Sequence, residues 1–310
     1  MKRGIFIIAG LVLTTVFAVV LRAQGNAQLR DTASALYESA DNALAAKDLH
    51  GYISLFTSDY EQILIGKNRD GIRELIKDIF DGYNTMRASH TLLSVTRAGK
   101  WIKAIVDVKI EGRTRRNEWE IVTQETRIDL LTREGGALRF ARSTPTDKFR
   151  LANVSGQTYT DNQAGLSFSV PAGWLILPYQ IQPNMQGQGN VLVLAPDGVS
   201  AALFLYVKSS SPIAKRAVES DESFAKLISS PDVYKLIKSE TVRIHGLEGY
   251  EIESEFSMPL QDARTRRRRR VYLDADGLMY AFCFDAIPST RWDAVKDGFQ
   301  SILDSMSFIK

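Results

Sequence analysis

Ile102-Lys-Ala-Ile-Val-Asp-Val-Lys-Ile-Glu111 decides how the first half of this chain folds. Ile102, Ala104, Val106, Val108 and Ile110 alternate with Lys103, Asp107, Lys109 and Glu111, so a strand here has one apolar and one wet face. The apolar face needs a cover, and the residues before it supply one. Leu36, Ala40, Ala43 and Leu44 follow a capping Asp31; Leu49, Tyr52, Ile53 and Phe56 follow a capping Asp48. After the turn Lys67-Asn-Arg-Asp-Gly71 come Ile72, Leu75, Ile76, Ile79, Phe80 and Tyr83, again at helical spacing. Trp119 to Leu131 and Leu138 to Ala141 read as further strands. Helices followed by strands predict an α+β domain over 28–150, with helices on one face of a curved antiparallel sheet.

Within this half, Ala45-Ala-Lys-Asp-Leu-His-Gly-Tyr-Ile-Ser-Leu-Phe-Thr-Ser-Asp-Tyr60, with Gly71-Ile-Arg73 later, resembles the nuclear transport factor 2-like (SnoaL-like) superfamily. The resemblance implies a cone-shaped fold with an interior pocket, one that serves enzymes, binding proteins and dimerisation modules alike.

Residues 151–163 are poor in apolar side chains and rich in Ser, Gly, Gln, Thr, Asp and Asn, which predicts a linker. Strand patterns then restart at Leu166-Ser-Phe-Ser-Val170 and recur up to Leu278–Phe284, interrupted by a helix near Ala214–Ser229. A closing helix carries Trp292, Val295, Phe299, Ile302 and Met306 at spacings of three and four, with Thr290 and Asp293 spaced as a capping box. Gly165-Leu-Ser-Phe-Ser-Val-Pro-Ala-Gly-Trp174 and the ending Ile302-Leu-Asp-Ser-Met-Ser-Phe308 resemble the PsbP-like family. That resemblance covers 164–310 and implies an α/β/α sandwich with an antiparallel sheet, used for binding or assembly.

Met1–Ala27 reads as a secretory signal peptide or a retained anchor. Lys2 and Arg3 precede an apolar run from Gly4 to Leu21, and Gly25-Asn-Ala27 offers small residues for cleavage. The run of 18 is short for a membrane span of about 20 residues. The expected location is periplasmic or extracellular. Lys2, Arg3 and Arg22 go with the leader, and 36 of the chain's 39 basic residues then face 36 acidic ones. A neutral chain argues against nucleic acid as a partner. The single cysteine, Cys283, lies in an apolar strand pattern and excludes an internal disulfide.

Arg264-Thr-Arg-Arg-Arg-Arg-Arg270 holds six of the 16 basic residues from Leu151 onward. As a surface patch it would bind an anionic surface or an acidic partner. As one arm of a hairpin it faces Glu251, Glu253 and Glu255. The expected register pairs Arg266 with Glu255, Arg268 with Glu253 and Arg270 with Glu251, leaving Arg264, Arg267 and Arg269 as the candidate anion or partner patch. The ladder is the favoured reading.

For catalysis the candidates are thin. His90 alternates with Leu92 and can point into the cone, but no partner is visible for it. Tyr60 is a further candidate; Asp107 shares the wet face; Asp59 reads as a helix-end turn; Glu118 and Glu120 flank Trp119 on a surface strand. His50, His90 and His245 are too far apart for a metal motif, and no cofactor signature occurs. The expectation is an exported, non-enzymatic binding or assembly protein, its partner an unknown protein or small ligand, able to pair as a homodimer through the cone-domain sheet. The alternatives are a lyase, isomerase or hydrolase in the cone pocket, and anionic-surface binding through the arginine strand.

Overall fold

The computed structural model describes residues 26–62, 67–146, 151–179, 188–208, 212–228, 234–258, 262–275 and 277–308. The leader reading, apart from its last two residues, lies outside them. Two compact units divide between Ser143 and Thr144. Among the described residues no helix is long and apolar enough to cross a membrane.

In the first unit, helix α1 (residues 26–45) buries Leu29, Ala33, Leu36, Tyr37, Ala40, Ala43 and Leu44. Its stripe begins two residues before Asp31, so Asp31 lies inside the helix and caps nothing. Asp48 does cap α2 (Leu49–Ser54), accepting from the Gly51 amide at 2.9 Å, and Asn68 does the same for α3 (Arg69–Gly82). Phe56, expected on the second helix, instead heads β1 (Phe56–Gln62). There the Phe140 amide donates to the Leu55 carbonyl and draws the chain into the sheet.

Strands β2 (Lys67–Asn68), β3 (Thr85–Ala98), β4 (Trp101–Arg113), β5 (Trp119–Glu134) and β6 (Ala137–Thr146) complete a six-stranded sheet in the order β2-β1-β6-β5-β4-β3. It is antiparallel except where β1 runs parallel to β6. The apolar face of β4, as its alternation predicts, packs with the buried residues of the three helices.

The second unit is a sandwich. A seven-stranded antiparallel sheet and a small four-stranded one share a core. Strands β7 (Val154–Ser155), β8 (Thr158–Asp161) and β9 (Leu166–Ser169) belong to the small sheet with β17 (Ser307–Phe308). The large sheet takes β10 (Leu175–Tyr179), β11 (Gln188–Leu194), β12 (Ala201–Lys208), β13 (Lys235–Ile244), β14 (Leu247–Met258), β15 (Asp262–Ala275) and β16 (Leu278–Ala286). Its order is β10-β11-β12-β16-β15-β14-β13.

Helix α4 (Ala214–Ile228) covers one face through Ala214 and Val218, against Ile252, Tyr272 and Met279. Helix α5 (Trp292–Asp304) covers the other with Trp292, Val295, Phe299 and Ile302, against Phe204, Phe282 and Phe284. Trp174 lies so close to α5 that a Cβ at Gly298 would strike its ring.

Two expectations change here. The stretch 151–163 contains β7 and β8 and lies within the second unit. Its polar residues make turns, as Asp161 does by accepting from the amides of Gln163 and Ala164. The capping box at Thr290 does not form, because a 3-10 turn (Ser289–Arg291) precedes α5; Asp293 instead pairs with Lys296 at 2.6 Å.

Candidate functional site

Strand β5 carries charge into the interior of the first unit. Glu125, Arg127 and Asp129 oppose Val108, Val106 and Ala104 of β4, so they share its apolar face. Asp129 has no exposed surface and accepts from Tyr37 Oη at 2.8 Å and Ser143 Oγ at 2.6 Å. Arg127 Nε lies 2.9 Å from the same carboxylate, an ion pair too far off line to count as a hydrogen bond. Arg127 Nη1 is 4.0 Å from Glu125 Oε1.

These neighbours set the protonation states. Burial opposes the Arg127 charge, but Asp129 together with Tyr52, Tyr37 and Tyr60 outweighs it and the guanidinium stays protonated. Burial pushes the Glu125 carboxyl up, and Asp129 adds to the push against Arg127. The hydroxyls of Tyr37, Tyr52 and Tyr60 are all raised, first by burial, and remain neutral donors.

His90 completes the cluster. It opposes Val108 from β3, one strand further along the row of Glu125. Its side chain is only 1% exposed. Nδ1 is 2.6 Å from Asp41 Oδ1, and the His90 amide donates to Asp41 Oδ2 at 3.2 Å. The ring stacks on Tyr37 with centroids 5.3 Å apart. A carboxylate only accepts, so Nδ1 carries the proton and Nε2 is left as the working edge. Among the described residues nothing bonds to Nε2. A histidine oriented by a carboxylate and stacked on a tyrosine ring has the arrangement a general base or acid uses.

The sequence reading singled out His90 without finding Asp41, and it missed Tyr37, Arg127 and Asp129. One signal was present: Tyr37 and Asp41 stand four residues apart on α1, beside the stripe that points to the sheet.

The other candidates stay outside this cluster. Asp107 lies on the outer face and accepts from Thr126 at 2.7 Å. Asp59 is on β1 rather than at a helix end. Burial raises its carboxyl, but the Thr57 hydroxyl and Arg142 together bring it below the usual range. Glu118 and Glu120 are exposed.

The arginine strand of the second unit forms a ladder, in the opposite phase from that expected. Glu253 faces Arg269 and Glu255 faces Arg267, one residue away from the predicted pairing. A slip of one residue exchanges the faces of a strand. An irregularity between Phe256 and Met258 sets the phase, and no sequence pattern reports it. Arg267 therefore bonds Glu253 at 2.6 Å, and Arg269 bonds Glu251 and Gln300 at 2.8 Å each. Arg264 is exposed and also engaged. Arg266, Arg268 and Arg270 lie on the opposite face, where Arg268 grips both oxygens of Asp285 at 2.5 and 2.6 Å.

A cleft of about 310 Å³ lies between Trp174, Pro196, Val295 and Gly298, and it too is flanked by a matched pair, Arg291 and Asp197 at 3.3 Å.

No family model and no curated protein matches the chain. Solved structures do. Cyanobacterial PsbP (CyanoP) from Synechocystis sp. PCC 6803 is 19% identical over 49% of this chain and 91% of its own, with a TM-score of 0.38. A putative scytalone dehydratase from Novosphingobium aromaticivorans DSM 12444 is 13% identical over 40% of this chain and 89% of its own, with a TM-score of 0.36. A hexachlorocyclohexane dehydrochlorinase (LinA) Type2 is 17% identical over 41% and 91%, with a TM-score of 0.31.

Proposed function

We propose that the chain is an exported protein whose first unit receives a small molecule on the inner face of its sheet, with the His90–Asp41 pair moving a proton there. The pair is the observation that carries this reading. An imidazole held at 2.6 Å by a carboxylate, with Nε2 unbonded, has the orientation a general base needs. This reading takes up the alternative drawn from the sequence, a small-molecule enzyme in the cone pocket, beside the favoured non-enzymatic one. Export rests on the order of charged start, apolar run and small-residue exit in Met1–Ala27.

The test is a fragment screen on the full chain by NMR, read at the His90 imidazole and the β5 amides. Fragments that shift His90, Tyr52 and Arg127 together, and lose binding in His90→Gln, support the proposal. Shifts confined to other surfaces contradict it.

A second reading, assembly through the outer face of the same sheet, is favoured by Trp119 and Ile121, which are 40% and 58% exposed on β5. Light scattering decides it: a homodimer that dissociates in Ile121→Lys supports the outer face, and a monomer at every concentration removes it.

A further inference from the structure

The Arg127 guanidinium has two ends with different surroundings. Nε is closed off from solvent beside Asp129. Nη1 and Nη2 form no hydrogen bond to any described residue, and the side chain keeps 17% of its exposure, none of it at Nε. A buried guanidinium normally spends all five of its N–H groups on acceptors, because leaving a charged donor unmet costs more than leaving a neutral one. Here the fork is not closed off as Nε is: the side chain's remaining exposure leaves its two parallel N–H groups open to an incoming acceptor. Its electrostatic neighbour Glu125, 4.0 Å from Nη1, is too distant for a hydrogen bond.

We infer that the ligand of this site is a neutral small molecule bearing a carbonyl-type oxygen, which the Arg127 fork receives. This rests on the reading of the first unit as a small-molecule site. A formal anion fits the fork's shape but not its charge. Asp129 already matches Arg127, Asp41 adds a second carboxylate beside His90, and burial drives Glu125 toward its neutral form. A carboxylate ligand would bring a further negative charge into an interior where such interactions are weakly screened. A neutral acceptor meets the two donors without adding charge. Tyr37 links the two ends of the site, stacking on His90 and donating to Asp129. A carbonyl oxygen at Arg127 therefore leaves the rest of a small ring or short chain in the direction of His90 Nε2.

Three probes on the full chain test this by saturation-transfer NMR: cyclohexanone, cyclohexanol and cyclohexanecarboxylate. The ketone is expected to bind about tenfold more tightly than the carboxylate, and Arg127→Lys, which keeps the charge but loses the planar fork, to remove that preference. Preferred binding of the carboxylate, or ketone binding undiminished in a folded Arg127→Lys, overturns the assignment of ligand class and leaves the His90 site standing. Should Arg127→Lys not fold, Arg127→Met/Asp129→Asn, which removes charge and partner together, takes its place. Failure of all three probes to bind overturns the parent reading together with this one.

Discussion

The two units spend their buried charges differently. In the second, three carboxylates beside the arginine strand are met directly: Glu251 by Arg269, Glu253 by Arg267, and both oxygens of Asp285 by Arg268. Beside these pairs lies an aromatic core of Phe204, Phe282, Phe284 and Phe299. In the first unit the charges interrupt the core. Glu125, Arg127 and Asp129 stand among Val106, Val108 and Leu131, and the fork of Arg127 and the Nε2 edge of His90 remain unbonded. Matched groups hold a fold together. Groups left unmatched inside a folded interior cost stability and are kept where they meet a ligand.

The sharpest way to break this comparison is to unmatch a pair in the second unit. Arg268→Met leaves Asp285 buried without its bidentate partner and is expected to cost about 3–5 kcal/mol in denaturant unfolding. A loss below about 1 kcal/mol would show that the pair is not structural.

The pH response comes next, and its sign separates the units. Burial raises the Asp285 carboxyl, but Arg268, with Arg266 and Arg270 adding to it, leaves it below the usual carboxylate range. Its contribution is therefore present above about pH 4 and disappears as pH falls through the folded value. Glu125, raised by burial, acts the other way: its contribution is full below about pH 4 and declines as pH rises through its folded value. Thermal melts followed at Trp174 and Trp292 are expected to report acid loss, and Asp285→Asn to flatten it.

A smaller effect is expected at Arg127. Arg127→Met alone leaves Asp129 with only Tyr37 and Ser143, at a cost of about 1–3 kcal/mol. Arg127→Met/Asp129→Asn should recover most of that, and additive losses in the double variant would contradict the pairing. The smallest effect is at the ladder's half-exposed side, where Arg267→Ser should cost about 1 kcal/mol or less.

Much of this fold was legible because period and composition report it. Strand β4 declared its two faces, the stripe Trp292, Val295, Phe299 and Ile302 declared α5, and helices followed by strands declared the helix-covered sheet of the first unit. The phase of the arginine hairpin was not legible. Alternation distinguishes two faces but does not say which one meets a partner, and the irregularity at Phe256–Met258 settles that in three dimensions. The site was the least visible part. Glu125, Arg127 and Asp129 alternate with Thr126, Ile128 and Leu130, which reads as charges outward and apolar groups inward, whereas the charged row faces the helices. His90 meets Asp41 across 49 residues of chain, a contact only the packing of α1 on β3 creates.

The most direct test of the central claim is a crystal structure of the full chain soaked with cyclohexanone. The account predicts the ketone inside the first unit, its oxygen within about 3 Å of Arg127 Nη1 or Nη2 and its ring toward His90 Nε2. An interior that stays closed to the ketone, with the Arg127 fork bonded to the protein itself, would contradict it.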